Sequence, residues 1–155
     1  MKYYKDPNNN IFAYAKDGSQ DAYIKQNLVA ITDAEADAIR NPPKTLDELK
    51  VIKVTELYTA YTSANQSDIS YLGTTFQADS KSQDMITSVL SVGSVPSGFY
   101  WLDIANNKVT MTYTDLQGLA GAILTRGQVA FDKLQGLKAQ ARAVTDASEL
   151  DLIGW

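Results

Sequence analysis

The chain contains no cysteine and no histidine. Without cysteine it has no disulfides, no thiolate chemistry and no cysteine-ligated zinc. Without histidine it lacks the commonest general base and the commonest metal ligand. Positive charge is scattered, and the nearest thing to a basic cluster, Lys138 and Arg142, is diluted by alanine and glutamine. The net charge is -4, so the electrostatic footprint of a nucleic-acid binder is missing and no nucleic-acid partner is expected. No apolar run approaches the roughly 20 residues of a membrane span. The opening MKYYKDPNNN has no apolar signal-peptide core. The expected compartment is the cytoplasm, with no membrane partner and no Sec export.

What is present is an ordinary globular composition. Of 155 residues, 45% are apolar and 21% charged, which suits one domain, or one domain with an appendage, and an adequate core. The most informative stretch is residues 31–49, ITDAEADAIRNPPKTLDEL. Thr32 with Glu35 forms a capping box, and Asp33 and Glu35 place negative charge at the positive end of a short helix. Asn41, Pro42 and Pro43 end that helix, because proline disfavours helical backbone before it and offers no amide donor. Thr45 with Glu48 repeats the capping box. The chain therefore reads as an N-terminal unit, 1–43, joined by a stiff elbow to a second unit, 44–155.

In the first unit, two aromatic runs flank the turn Asp6-Pro7-Asn8-Asn9-Asn10, which predicts a β-hairpin. A second turn falls at Asp17-Gly18 and a third strand at 28–31. In the second unit the 3.6-residue spacing of Leu46, Leu49, Leu57, Ala60 and Tyr61 predicts a helix over 46–64. Val51, Val54 and Tyr58 widen its apolar face, and Ile52 lies outside it. Residues 62–68 read as a loop and 69–78 as one extended segment. Ser80 with Gln83 starts a helix that runs to about Leu90 and turns Met85, Ile86, Val89 and Leu90 inward. A second hairpin spans 99–104 and 108–114, with Val109, Met111 and Tyr113 half buried and Tyr100, Leu102 and Ile104 sharing one face. Thr114 with Gln117 caps a final helix over 115–143. Its apolar arc contains Leu116, Leu119, Ala120, Ile123, Leu124, Gly127, Ala130, Phe131, Leu134, Leu137 and Ala141. At about 40 Å, that helix is long for a compact domain of this size. The fold class is α+β.

Sites are few. Asp17, Ser19 and Asp21 have the flavour of a calcium loop, but the full ligand pattern is absent. Carboxylate catalysis is the only broad enzyme class left open; Asp79, Asp84, Asp103 and Asp115 could supply an acid and a base, and nothing in the sequence pairs any two of them. The expectation is a non-enzymatic protein with no metal and no cofactor. Four residues are candidates for partner binding. Gly127 offers a close helix–helix approach, either to the helix at 46–64 or between subunits of a homo-oligomer. Phe99 and Trp101 face outward if Tyr100, Leu102 and Ile104 face the core; otherwise Trp101 closes the core under the long helix. Trp155 is the fourth, since tryptophan is enriched at binding hot spots.

Two resemblances add to this reading. The first 44 residues, with KYYKDPNNN, IFAYAKDGSQDAYI and EADAIRNPP, resemble the N-terminal region of bacteriophage tail fibre assembly proteins. Residues 70–155 resemble a phage-encoded C-terminal domain of uncharacterised function, through LGTTFQADSKSQ, the W-x-D-x-x-NN-x-V run at 101–109, LQGLAGAI and the final LDLIGW. The usual assembly proteins carry a different C-terminal half, so no binding geometry transfers from them. The resemblance implies a chaperone in the host bacterial cytoplasm that binds the tail fibre protein, at its C-terminal region, and assists its folding or trimerisation. The alternative it leaves open is a structural virion protein retained on the tail or fibre.

Overall fold

Three of the helices begin where a short polar side chain meets free backbone amides, and the apolar side chains then decide which elements pack. A computed structural model describes all residues, Met1 to Trp155. It divides into two compact units, Met1–Thr45 and Leu46–Trp155. The division falls two residues after the elbow prolines.

The first unit contains β1 (Lys2–Lys5), β2 (Ile11–Tyr14), β3 (Val29–Ile31) and α1 (Asp33–Arg40). The strands form an antiparallel sheet in the order β2-β1-β3, with Tyr4 opposite Phe12 on one side and Ala30 on the other. The β1–β2 loop is built on Asp6, whose carboxylate accepts from the Asn8 and Asn10 amides, both at 2.9 Å, and from the Asn10 side chain at 2.8 Å. Asn9 takes the left-handed conformation, φ 60°, which asparagine tolerates. Thr32 and Glu35 form the expected capping box of α1. Arg40 lies over the Tyr3 ring at 4.7 Å, and Lys2 pairs with Asp21 at 2.6 Å. The only fully buried side chain in this unit is Ala36.

The second unit contains α2 (Leu46–Asn65), β4 (Ile69–Tyr71), β5 (Thr74–Phe76), α3 (Ser80–Ser91), β6 (Tyr100–Leu102), β7 (Lys108–Thr110), α4 (Tyr113–Ala143) and a closing 3-10 turn, Ala147–Leu152. Two apolar clusters share α4. One gathers Phe76, Ala78, Ile86, Met111, Leu116, Leu119 and Ile123. The other gathers Leu57, Leu134, Ala141, Val144, Leu150 and Ile153. Serving two cores in succession explains the length of α4, about 46 Å at 1.5 Å per residue. The fold is α+β, as the sequence predicts.

Several local expectations are corrected. Residues 69–78 are not one extended segment but a tight hairpin. Leu72 and Gly73 both have positive φ, 50° and 77°, the pattern of a two-residue type I′ turn. Asp79, not Ser80, caps α3 by accepting from the Ser82 amide at 2.8 Å. Gln83 instead donates to the carbonyls of Ala78 and Asn65. Thr112, not Thr114, caps α4, with Asp115 in place of Gln117. An ionised carboxylate answers the positive end of the helix better than an amide does. Val51, Tyr58, Met85 and Leu124 were expected on buried faces and are exposed. In α2 the hydroxyls of Thr55, Thr59 and Thr62 donate back to the carbonyls of Val51, Thr55 and Tyr58, one turn earlier, which satisfies them within the helix.

Candidate protein-binding groove

The β6–β7 hairpin repeats the loop of β1–β2. Asp103 accepts from the amides of Ala105 and Asn107, both at 2.8 Å, and from the Asn107 side chain at 3.0 Å. Asn106 has φ 61°, and the Asp103 amide donates to the Asn107 carbonyl at 3.0 Å. Both loops read D-x-x-N-N: DPNNN at 6–10 and DIANN at 103–107. That motif sets the register, with Trp101 opposite Val109 and Tyr100 opposite Thr110.

Directly opposed residues share a face. Val109 packs on the first apolar cluster, so Trp101 and Phe99 pack there too, with ring centroids 6.3 Å apart. Tyr100, Leu102 and Ile104 are turned outward, each more than 40% exposed. Of the two arrangements that alternation leaves open, the one with Trp101 closing the core holds. The available signal was register: with Val109 and Met111 inward, the loop leaves no choice for Trp101.

Trp101 is nonetheless not sealed off. A groove of about 640 Å³ runs between α3 and the segment from Pro96 to Leu102. Ser82, Met85 and Val89, one stripe of α3, form one wall, and consecutive residues Ser97 to Leu102 form the other. Consecutive residues from both faces of a strand can line one groove only along the strand's edge. No lining side chain is acidic or basic, although 21% of the chain is charged. Met85 is 58% exposed at the rim. Sequence reasoning missed Met85 because it turned that side chain inward, and it left the facing of Tyr100 and Leu102 open.

The other two candidates fall elsewhere. Gly127 lies opposite the end of α2, where an added methyl would meet the Asn65 side-chain oxygen at 2.8 Å. Its close approach is therefore within the chain. The tighter approach is at Gly118, where an added methyl would sit 1.9 Å from the Tyr71 hydroxyl. Gly127, Tyr61, Leu124 and Phe131 line a second groove of about 420 Å³ beside α4. Trp155 packs edge-on against Tyr61 at 6.4 Å and carries Lys133 over its ring at 4.8 Å. Near the same helix end, Arg126 donates to the carbonyls of Ser67 and Asn65, and burial lowers its pKa from the usual value.

The carboxylates have local work. The Ser82 amide holds Asp79 below the usual range, the Asn107 side chain does so for Asp103, and the Thr112 hydroxyl does so for Asp115. A general acid needs the opposite shift. Asp84 is exposed on α3. In the first unit, Asp17 accepts from the Ser19 amide and hydroxyl and Asp21 from Lys2, which is turn and ion-pair chemistry. No group of three or more acidic side chains is arranged as a metal site, and no helix is long and apolar enough to cross a membrane.

The profile of one protein family, described as a domain of unknown function (DUF4376), matches residues 48–154. Comparison with curated proteins and with solved structures yields no match.

Proposed function

The chain belongs to the DUF4376 family, and we propose that it is a bacteriophage tail fibre assembly chaperone that binds the fibre polypeptide during folding and trimerisation. The observation that carries this reading is the uncharged groove between α3 and β6, rimmed by exposed Met85, Tyr100 and Leu102. Such a surface suits transient cover for apolar polypeptide and needs no catalytic group. The resemblance of residues 1–44 to fibre assembly proteins supports the choice of client. Fibres with intertwined β structure have high contact order, fold slowly and expose strand edges while they wait for partners. A small protein that shields those edges would raise the yield of correct trimer.

The test is coexpression with the long fibre polypeptide of the same genome. The expected result is a severalfold rise in soluble trimer over expression of the fibre alone. Unchanged yield overturns the reading. Purified particles carrying the chain at fixed copy number would favour a structural virion role instead.

A further inference from the structure

We propose that the outer edge of β6 is an acceptor for an added strand: an extended, uncharged segment of the client pairs antiparallel with Tyr100–Leu102 and lies in the groove against α3. This rests on the chaperone reading for the client's identity and names how the client is held.

The argument starts from the ladder. The Met111 amide donates to the Phe99 carbonyl, and the Asp103 amide to the Asn107 carbonyl. Hydrogen-bonded pairs alternate in an antiparallel ladder, so Phe99, Trp101 and Asp103 direct their backbone groups to β7. Tyr100 and Leu102 direct theirs the other way. At the loop end, the same edge is already in use, since the Ile104 amide donates to the Thr75 carbonyl at 3.1 Å. From Leu102 back to Tyr100 it borders the groove.

The chain itself shows what such an edge accepts. In the N-terminal hairpin the residues equivalent in register to Tyr100 and Leu102, counted back from the loop aspartate, are Tyr3 and Lys5. There β3 pairs on that edge, with Tyr3 opposite Ile31 and Lys5 opposite Val29. The C-terminal hairpin has the same loop and only two strands. The lining narrows the occupant: none of its side chains is ionised, and the cation nearest the Tyr100 ring is Lys108, at 4.5 Å, so a basic segment is penalised and an uncharged strand is accommodated. Threonine- or serine-rich apolar strands fit, and Ser82 and Ser97 are at hand in the wall.

The probe is a short end-blocked peptide of alternating threonine and valine, N-methylated on alternate residues so that one hydrogen-bonding edge remains and self-association stops. Added to the full isotope-labelled chain, it should shift the amide signals of Tyr100 and Leu102 and slow their hydrogen exchange. The same peptide N-methylated on every residue, with identical side chains, should bind at least about tenfold more weakly. Met85→Glu should weaken binding of the first peptide by about tenfold as well, and Ser97→Glu is the second variant if Met85→Glu perturbs folding. Absence of shifts at Tyr100 and Leu102, or equal binding of the two peptides, overturns the proposal. If coexpression raises fibre yield but Met85→Glu leaves that rise intact, the strand-addition site fails while the chaperone reading stands. If the peptide binds as described but fibre yield is unchanged, the chaperone reading fails while the site stands.

Discussion

The two hairpins closed by D-x-x-N-N loops have the same turn and different surroundings. In each, the aspartate carboxylate gathers two amides and an asparagine side chain, and the fourth residue sits near φ 60°. The loop therefore fixes register in both. Beyond the loop they diverge. The β1–β2 hairpin gains a third strand and belongs to a unit that fully buries only Ala36. The β6–β7 hairpin gains no third strand and lays Phe99, Trp101, Val109 and Met111 on a closed apolar cluster. The lesson is that a turn motif dictates a hairpin's geometry but not its support. One hairpin is held by hydrogen bonds across a sheet, the other by burial of one face.

The largest expected effect comes from breaking the burial side of this comparison. Leu119 is fully buried in the first cluster, and Leu119→Ala should cost about 2–5 kcal/mol. Protection of the β6–β7 amides from hydrogen exchange should fall with that loss, while the β1–β3 amides keep theirs. Equal loss in both hairpins would show that the N-terminal sheet depends on the same core. A smaller effect is expected from close packing within the second unit. Gly118→Ala drives a methyl into the Tyr71 hydroxyl, and overpacking of this kind costs about 1–3 kcal/mol. Gly121→Ala, on the same helix with nothing within 4 Å, should instead stabilise by up to about 1 kcal/mol. Thermal unfolding of the pair separates packing from helix propensity.

Substitution of the loop aspartates sharpens the comparison from the other side. Asp6→Ala should speed exchange across the whole β1–β2 ladder, whose support is largely hydrogen bonding. Asp103→Ala should speed exchange of Ala105 and Asn107 and leave Trp101 in place on its cluster, with its fluorescence unchanged. A red shift on Asp103→Ala, in a background with Trp155→Phe, would mean that the loop and not the core holds the aromatic face.

Much of the fold can be read before any coordinates. Capping chemistry, proline breaks and 3.6-residue spacing place α1, α2 and α4 to within a few residues, because these signals are local. The misses have physical causes. Leu72 in a left-handed turn gives no turn signal, since bulky side chains rarely adopt positive φ, and so the β4–β5 hairpin was hidden in an apparently extended run. At α3 the carboxylate of Asp79 takes the cap from the neighbouring Ser80, and at α4 two threonines are available and Asp115, three residues after Thr112, decides between them. The four residues nominated for partner binding divide between two grooves, Phe99 and Trp101 in one and Gly127 in the other, with Trp155 packed on Tyr61. Alternation along β6 cannot say which face is inward; the register imposed by Asp103 can. The open edge itself is invisible to composition, because it is a property of backbone groups and of a strand that the chain does not supply.

The smallest expected effect is a difference in acid sensitivity. In the first unit, Asp6 is lowered chiefly by the Asn10 side chain, Asp17 by the Ser19 hydroxyl and Glu35 by the Thr32 amide. In the second, Asp79, Asp103, Asp115 and Asp146 are lowered in the same way. A carboxyl whose folded pKa lies below its unfolded value binds fewer protons in the folded state. Its contribution is full above the unfolded value and is lost as pH falls through the folded one. The window therefore opens near the ordinary carboxylate values of about 4 and extends downward. Both units lose these contributions, but only the second has two apolar clusters to fall back on. Amide exchange followed from neutral pH to strongly acid solution should show β1–β3 losing protection at a higher pH than α4. Loss of both at one pH would mean that the carboxylates, and not burial, carry the second unit as well, and the contrast between the two hairpins would then reduce to their loops.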